Sequence, residues 1–185
     1  MPVSVTAICG SRNRNGKTAA ALQQFLGGCR SAGAEATEYY LPEQAIERCR
    51  QCDPDGWGDC RDKGACIIDD DFDAIVQSIR SAQGVVFATP VYWGDLSESI
   101  RAFTDRLRRI CAYAGNADTI EGKPAVGICV AGGSGGGWLT CCVSLEKTVT
   151  QTGFILQDIF ALNKRNLPYK NKALAAAGTW LVSHA

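Results

Sequence analysis

The sequence predicts a doubly wound α/β domain on a five-stranded parallel sheet, with a cysteine-rich insert between the second strand and the following helix. Three observations predict it. Short, continuously apolar runs alternate along the chain with segments of helical period, as in a sheet covered on both faces. The first apolar run ends at a glycine and a polar loop that leads straight into a helix, the opening of a β–α unit. Finally, 185 residues without an internal repeat or second composition regime make a single domain, 1–185, large enough to bury a sizeable core.

Residues 3–9, VSVTAIC, are β-branched and end at Gly10; the loop SRNRNGK follows, then the helical TAAALQQFLGGCRSAG. Residues 35–41, EATEYYL, suit a second strand that Pro42 stops. The insert runs from Glu43 to Cys66, where Pro54, Gly56, Gly58 and Gly64 oppose regular structure. In DDDFDAIVQSIRSA, Phe72, Ile75, Val76 and Ile79 recur at helical spacing behind carboxylates suited to a helix N-terminus. GVVFATP is the third strand, and SESIRAFTDRLRRIC carries Ile100, Phe103, Leu107 and Ile110 on one helical face. PAVGICVAGG is the fourth strand, followed by a glycine loop and the helix WLTCCVSLEKTVTQTG. GFILQDIF is the fifth strand, and KALAAAGTWLVSH the closing helix.

Composition excludes several chemistries. Lys+Arg and Asp+Glu both number 19, so the net charge of +0 supplies no general attraction to nucleic acid or an anionic membrane. The single histidine, His184, rules out a Ser-His-Asp hydrolase and an H-E-x-x-H zinc site. No segment reads as a secretory leader or a membrane span, and ten cysteines are too few for a small secreted disulfide scaffold. A cytoplasmic protein with reduced thiols is expected.

Ligands of open parallel sheets bind beyond the carboxyl ends of the strands, where the strand order reverses. Three loops occupy such ends. In the first, Ser11, Arg12, Asn13, Asn15, Gly16, Lys17 and Thr18 combine polar side chains, a cation and a helix N-terminus into a cradle for a phosphate. A nucleoside-triphosphate P-loop is not what they spell: counting back from Gly16-Lys17-Thr18, the required glycine falls on Ser11, and Gly10 is one residue too early. The second loop, Pro90, Val91, Tyr92, Trp93 and Gly94, sets two aromatics beside that cradle, where a flat ring can lie. In the third, Gly132, Gly133 and Ser134 open a glycine-rich run to Trp138 that lets backbone approach a ligand closely.

A phosphate loop, an aromatic loop and a glycine loop together suit flavin mononucleotide (FMN). At these residues, and in the helix with Phe103-Thr104-Asp105-Arg106, the chain resembles flavodoxin-like NAD(P)H-dependent FMN reductases, especially their iron–sulfur flavoprotein branch. It departs in reading Ser11-Arg12-Asn13 where the family usually reads Ser-Pro-Arg. The resemblance implies a flavodoxin-like fold, FMN phosphate on the first loop and the isoalloxazine between the other two. It also implies NAD(P)H as donor and a homodimer or homotetramer.

Cys49, Cys52, Cys60 and Cys66 are spaced C-x2-C-x7-C-x5-C within the insert. Four thiolates in a non-helical loop can wrap an iron–sulfur cluster or a structural zinc, or remain free or redox-active thiols. In the family that the chain resembles, a compact four-cysteine motif stands at this place, before an Asp-Asp matched here by Asp69-Asp70. A four-iron four-sulfur cluster is the expectation, ahead of zinc. The other six cysteines lie in strands and helices and are expected to pack as small hydrophobes.

The expected function is therefore an FMN-dependent oxidoreductase, passing electrons from NAD(P)H or a protein donor to a small-molecule or protein acceptor, with no side chain required as acid or base. The rivals are a non-enzymatic electron carrier and a zinc-clamped binding module.

Overall fold

The computed structural model describes residues 2–112 and 120–184. Five strands, β1 (Ser4–Cys9), β2 (Glu35–Tyr40), β3 (Gly84–Pro90), β4 (Pro124–Val130) and β5 (Ile155–Leu162), form one parallel sheet in the order β2-β1-β3-β4-β5. This is the 2-1-3-4-5 order of the flavodoxin-like fold, with its reversal between β1 and β3. The three inner strands are buried along nearly their whole length, which is why their sequences are unbroken apolar runs. Outer strands β2 and β5 expose part of their length and carry polar residues there.

Successive strand residues feed opposite faces. Val86 and Ala88 of β3 pack with Phe25 and Leu26 of α1 (Lys17–Ser31) on one side; Val85 and Phe87 pack with residues of the helices on the other. On the first side, α1 crosses the closing helix at backbone contact. A Cβ on Gly28 would lie 1.9 Å from the Ala175 carbonyl oxygen, and one on Gly178 would lie 2.1 Å from that of Phe25. On the second side lie α3 (Phe72–Ser81), α4 (Glu98–Cys111) and α5 (Trp138–Gln151); a single helical turn, α2 (Asp59–Asp62), lies within the insert. Each fully buried Leu, Ile or Phe on these faces contributes roughly 1.5–3 kcal/mol.

Three boundaries differ from those expected. The closing helix α6 spans Leu167–Ser183 and so begins before Lys172, because Pro168 fits the first helical turn and Asn163 and Asn166 hydrogen-bond each other's backbone ahead of it. Strand β5 runs to Leu162, two residues beyond GFILQDIF, where Leu162 pairs with Val130. Conversely, β4 stops at Val130, so Gly132 and Gly133 belong to the loop.

Candidate functional site

Loops from the carboxyl ends of β1, β3 and β4 surround an open cavity of about 850 Å³, within the ~300–1,000 Å³ of small-molecule sites. Lys17, Thr18, Pro90, Val91, Tyr92, Trp93, Gly94, Gly132, Gly133 and Ser134 line it as a group. Ser11, Asn13, Asn15 and Gly16 are not on its wall, and Arg12 lines a neighbouring hollow of about 630 Å³ with Gly10, Pro42 and Glu98. Tyr92 and Trp93 border both spaces, so the aromatic loop is the partition between them.

The first loop is shaped by its own side chains. Ser11 Oγ donates to the Asn13 carbonyl (3.1 Å), which also accepts from the Gly16 N–H (3.0 Å), while Asn13 Oδ1 accepts from the Asn15 N–H (2.9 Å). This coil delivers the chain to α1 with Gly16 as N-cap and no side-chain cap. First-turn N–H groups and the positive end of the helix dipole are thus left facing the end of the cavity where Lys17 and buried Thr18 stand.

In the second loop, Tyr92 and Asp95 exchange two backbone hydrogen bonds of 3.0 Å and close a two-residue hairpin turn. Both central residues have positive φ, +53° at Trp93 and +78° at Gly94. That mirror-image turn matches the natural strand twist, yet a bulky residue seldom occupies it. Its effect is to hold the Trp93 side chain wholly in solvent at the rim, with Tyr92 about half exposed. Asp95 fixes the base of the turn by accepting from the Leu96 N–H (2.7 Å) and pairing with Arg101 (2.5 Å). Burial opposes its charge, but the Leu96 N–H, Ser144 and Arg101 outweigh it and hold the carboxyl below its ordinary pKa.

The second and third loops touch backbone to backbone. A Cβ on Gly137 would lie 2.6 Å from Gly94 Cα, and Thr140 Oγ1 donates to the Gly94 carbonyl (2.7 Å). Gly135, Gly136, Gly137 and Thr140 also line the cavity. The sequence reading placed Gly135, Gly136 and Gly137 in the ligand-approaching glycine run without naming them as contacts, and it missed Thr140.

All four insert cysteines, Cys49, Cys52, Cys60 and Cys66, lie on the wall of a second, narrow hollow of about 20 Å³. Its remaining lining includes Trp57, Ile68 and, from α4, Arg106, Arg109 and Ile110. Burial pushes the Cys60 thiol up, against the pull of nearby Arg109. All ten cysteines are free, and no three His, Cys, Asp or Glu side chains among the described residues are placed to hold a single metal ion. Of the other six cysteines, Cys9, Cys29 and Cys111 have thiols pushed up to about 11 by burial, so they stay protonated at neutral pH.

The stem of the insert is held by contacts the sequence did not reveal. Asp70 and Asp71 stand at the N-terminus of α3 as expected, with Asp70 Oδ1 accepting from the Phe72 N–H (3.1 Å); they also reach back to the insert, Asp71 Oδ2 accepting from the Ala45 N–H (2.7 Å) and Asp70 Oδ2 from the Glu47 N–H (2.8 Å). Asp70 also pairs with Arg106 of α4 through two bonds of 2.6 and 2.9 Å, and Arg106 Nη1 donates to the Glu47 carbonyl (3.1 Å). Both side chains are buried, 1% and 5% exposed. Burial works against the Asp70 charge, but Arg106 and the Glu47 and Phe72 N–H groups hold its carboxyl below the ordinary carboxylate range.

Residues 3–167 match the family described as NADPH-dependent FMN reductase. Among curated proteins, an iron-sulfur flavoprotein of Methanosarcina thermophila is 31% identical over 110 residues, 58% of this chain and 55% of the relative. One from Archaeoglobus fulgidus is 32% identical over 133 residues, 72% of this chain and 64% of the relative. The aligned part is thus less than two thirds of these relatives' length. Among solved structures, an NAD(P)H:quinone oxidoreductase from Methanothermobacter marburgensis superposes with a TM-score of 0.72 at 18% identity, covering 98% of this chain and 96% of the other. A flavodoxin from the domain Archaea superposes at 0.61 and 11% identity, covering 98% of each. At such identities the superpositions speak for the fold. The extent of the family match is decisive: this chain belongs to the NADPH-dependent FMN reductase family.

Proposed function

We propose that the protein is an FMN-dependent oxidoreductase that takes electrons from NAD(P)H and delivers them to a small-molecule or protein acceptor by way of a cluster on its four insert cysteines. The observation that carries this reading is the convergence of three loops on one open cavity at the strand-order reversal, with an uncapped helix N-terminus at its end. FMN, when bound, supplies the two-electron redox chemistry.

The chain's residues have defined tasks there. First-turn N–H groups of α1, Thr18 Oγ1 and the Lys17 ammonium bind the phosphate dianion, and Ser11 and Asn13 hold the loop in shape. Gly94 and Gly137 keep two backbone walls close, so a planar ring meets peptide surface rather than side chains. Tyr92 and Trp93 flank the ring, and the solvent-facing Trp93 leaves the cavity open to a second planar reactant. Two-electron transfer between such rings needs no acid or base from the protein, consistent with a chain whose single histidine lies at position 184, far from these loops in sequence.

Thiolate chemistry fits the insert: four cysteines line one hollow, and the buried Nε of Arg106, on the same wall, has no hydrogen-bond partner among the described residues. As it stands the hollow has room for about one water, so loading requires the glycine-rich insert to widen around the group. Glu98, on the flavin side of α4, and Arg106, on the cysteine side, are eight residues apart, about 12 Å along the helix axis.

The test is anaerobic purification with flavin, iron and sulfide quantified, followed by mixing with NADH or NADPH. FMN that bleaches in one step supports the enzyme; FMN reduced by dithionite but by neither nucleotide supports the carrier instead.

A further inference from the structure

The Arg106 guanidinium is almost fully partnered. Its Nη groups are occupied by Asp70 and the Glu47 carbonyl, and its face stacks on the Phe72 ring at 4.1 Å. One donor is left over: Nε is buried and has no hydrogen-bond partner among the described residues. Leaving a buried charged donor unpaired costs about 1–3 kcal/mol or more, and folded proteins leave few such groups. The acceptor it lacks has to come from the space beside it. That space is the four-cysteine hollow, whose wall includes Arg106; apart from the cysteines its lining includes Ile68, Ile110 and the Trp57 ring, the cations Arg50 and Arg109, and Asp59, whose carboxylate is already paired with Lys63 (2.9 Å). Sulfur is the acceptor chemistry at hand there. Burial disfavours the guanidinium charge, yet Asp70 and the neighbouring Cys66 sulfur together hold Arg106 above its ordinary pKa.

Resting on the cluster reading above, we propose that Arg106 is a positioning residue for the cluster: its Nε–H donates a hydrogen bond to the Cys66 thiolate and thereby raises the cluster's reduction potential. A cluster bound by four thiolates is anionic and gains a further negative charge on reduction. A donor aimed at a ligating sulfur stabilises the reduced form more than the oxidised one, and hydrogen bonds to sulfur are among the factors that set such potentials. The Asp70 pair holds the donor in place, so the same side chain ties the insert to α4 and tunes the group it encloses.

The experiment uses the full chain, reconstituted anaerobically with iron and sulfide, as wild type and as Arg106→Lys. Lysine keeps a cation for Asp70 but has no Nε–H held toward the sulfur. Iron and sulfide per chain are measured first, then the cluster midpoint by a redox titration followed by electron paramagnetic resonance. Expected is a loaded Arg106→Lys protein whose midpoint moves to lower potential, with FMN content unchanged. A loaded variant with the wild-type midpoint overturns the proposal while leaving the cluster reading intact; a wild type that takes up no iron and sulfide overturns both. Should Arg106→Lys fail to fold, wild type labelled with ¹⁵N at arginine Nε decides. An Nε–H resonance displaced on cluster loading supports the bond, and arginine resonances indifferent to loading overturn it.

Discussion

Replacing Gly137 with alanine tests whether the close approach of the two loops builds the flavin cavity. The new Cβ would lie 2.6 Å from Gly94 Cα and 3.0 Å from Gly94 N, both backbone atoms that cannot swing aside, at a residue whose φ is +73°. The left-handed conformation costs an alanine roughly 1–2 kcal/mol, and forcing a methyl into filled space costs about 1–3 kcal/mol more. Without ligand, the loops relieve the total of about 2–5 kcal/mol by moving apart; binding must bring them together again, so the cost falls on affinity. At about 1.4 kcal/mol per decade, even the lower end weakens FMN binding about 30-fold. The assay is a titration of FMN fluorescence quenching on apoprotein, with thermal unfolding in parallel. Gly136→Ala is the control, since its Cβ would meet only Ser134 Oγ at 3.6 Å in the same loop. Equal losses in the two variants would assign the effect to loop stiffness, and wild-type affinity in Gly137→Ala would show that the contact does not shape the site. Either result refutes the reasoning.

The Ser11→Ala/Thr18→Ala double variant should lose at least about tenfold in FMN affinity, because the Thr18 hydrogen bond to a charged phosphate is worth about 1.5–3 kcal/mol and Ser11 holds the loop that presents it; equilibrium dialysis that finds no change counts against the phosphate cradle. Gly28→Ala gains helix propensity of about 1 kcal/mol but drives a methyl to 1.9 Å from the Ala175 carbonyl oxygen, so net destabilisation of about 2 kcal/mol and a Tm lower by at least about 4 °C are expected in calorimetry. Because the Asp70 carboxyl is held below its unfolded value of about 3.9, its stabilisation is complete above that value and is lost as pH falls through the lower folded pKa. Urea unfolding between pH 6 and pH 2 should show a shallower acid slope in Asp70→Asn, and a slope equal to wild type would remove Asp70 from the account. Cys52→Ala, prepared anaerobically, should lose iron and sulfide and retain FMN; an iron-free wild type after reconstitution defeats the cluster, and stoichiometric zinc selects the structural clamp.

The order and type of the elements were legible because each inner strand is buried on both faces, and a run such as GVVFATP has to be apolar at successive positions to be so. The three loops were legible for a local reason: the conformations and charges they need come from Gly, Ser, Asn and Lys within a few residues of each other, so composition and spacing carry the information. The cysteine spacing is of the same kind, and it placed four thiols on what is one hollow. Tertiary structure decided what depends on pairs remote in sequence. Gly137 matters because Gly94, forty-three positions earlier, meets it backbone to backbone, and a glycine run does not show which of its members is pressed. In sequence Arg106 closes the family-like Phe103-Thr104-Asp105-Arg106 and Asp70 belongs to the Asp-Asp ahead of a helix, with nothing to say that the two meet. Only the packing of α4 against the insert buries this pair, turns its carboxylate to the Glu47 N–H and leaves Arg106 Nε buried on the wall of the cysteine hollow with no partner among the described residues. The sequence specifies what each segment can form; burial decides which polar groups must find partners, and burial is a property of the assembled chain.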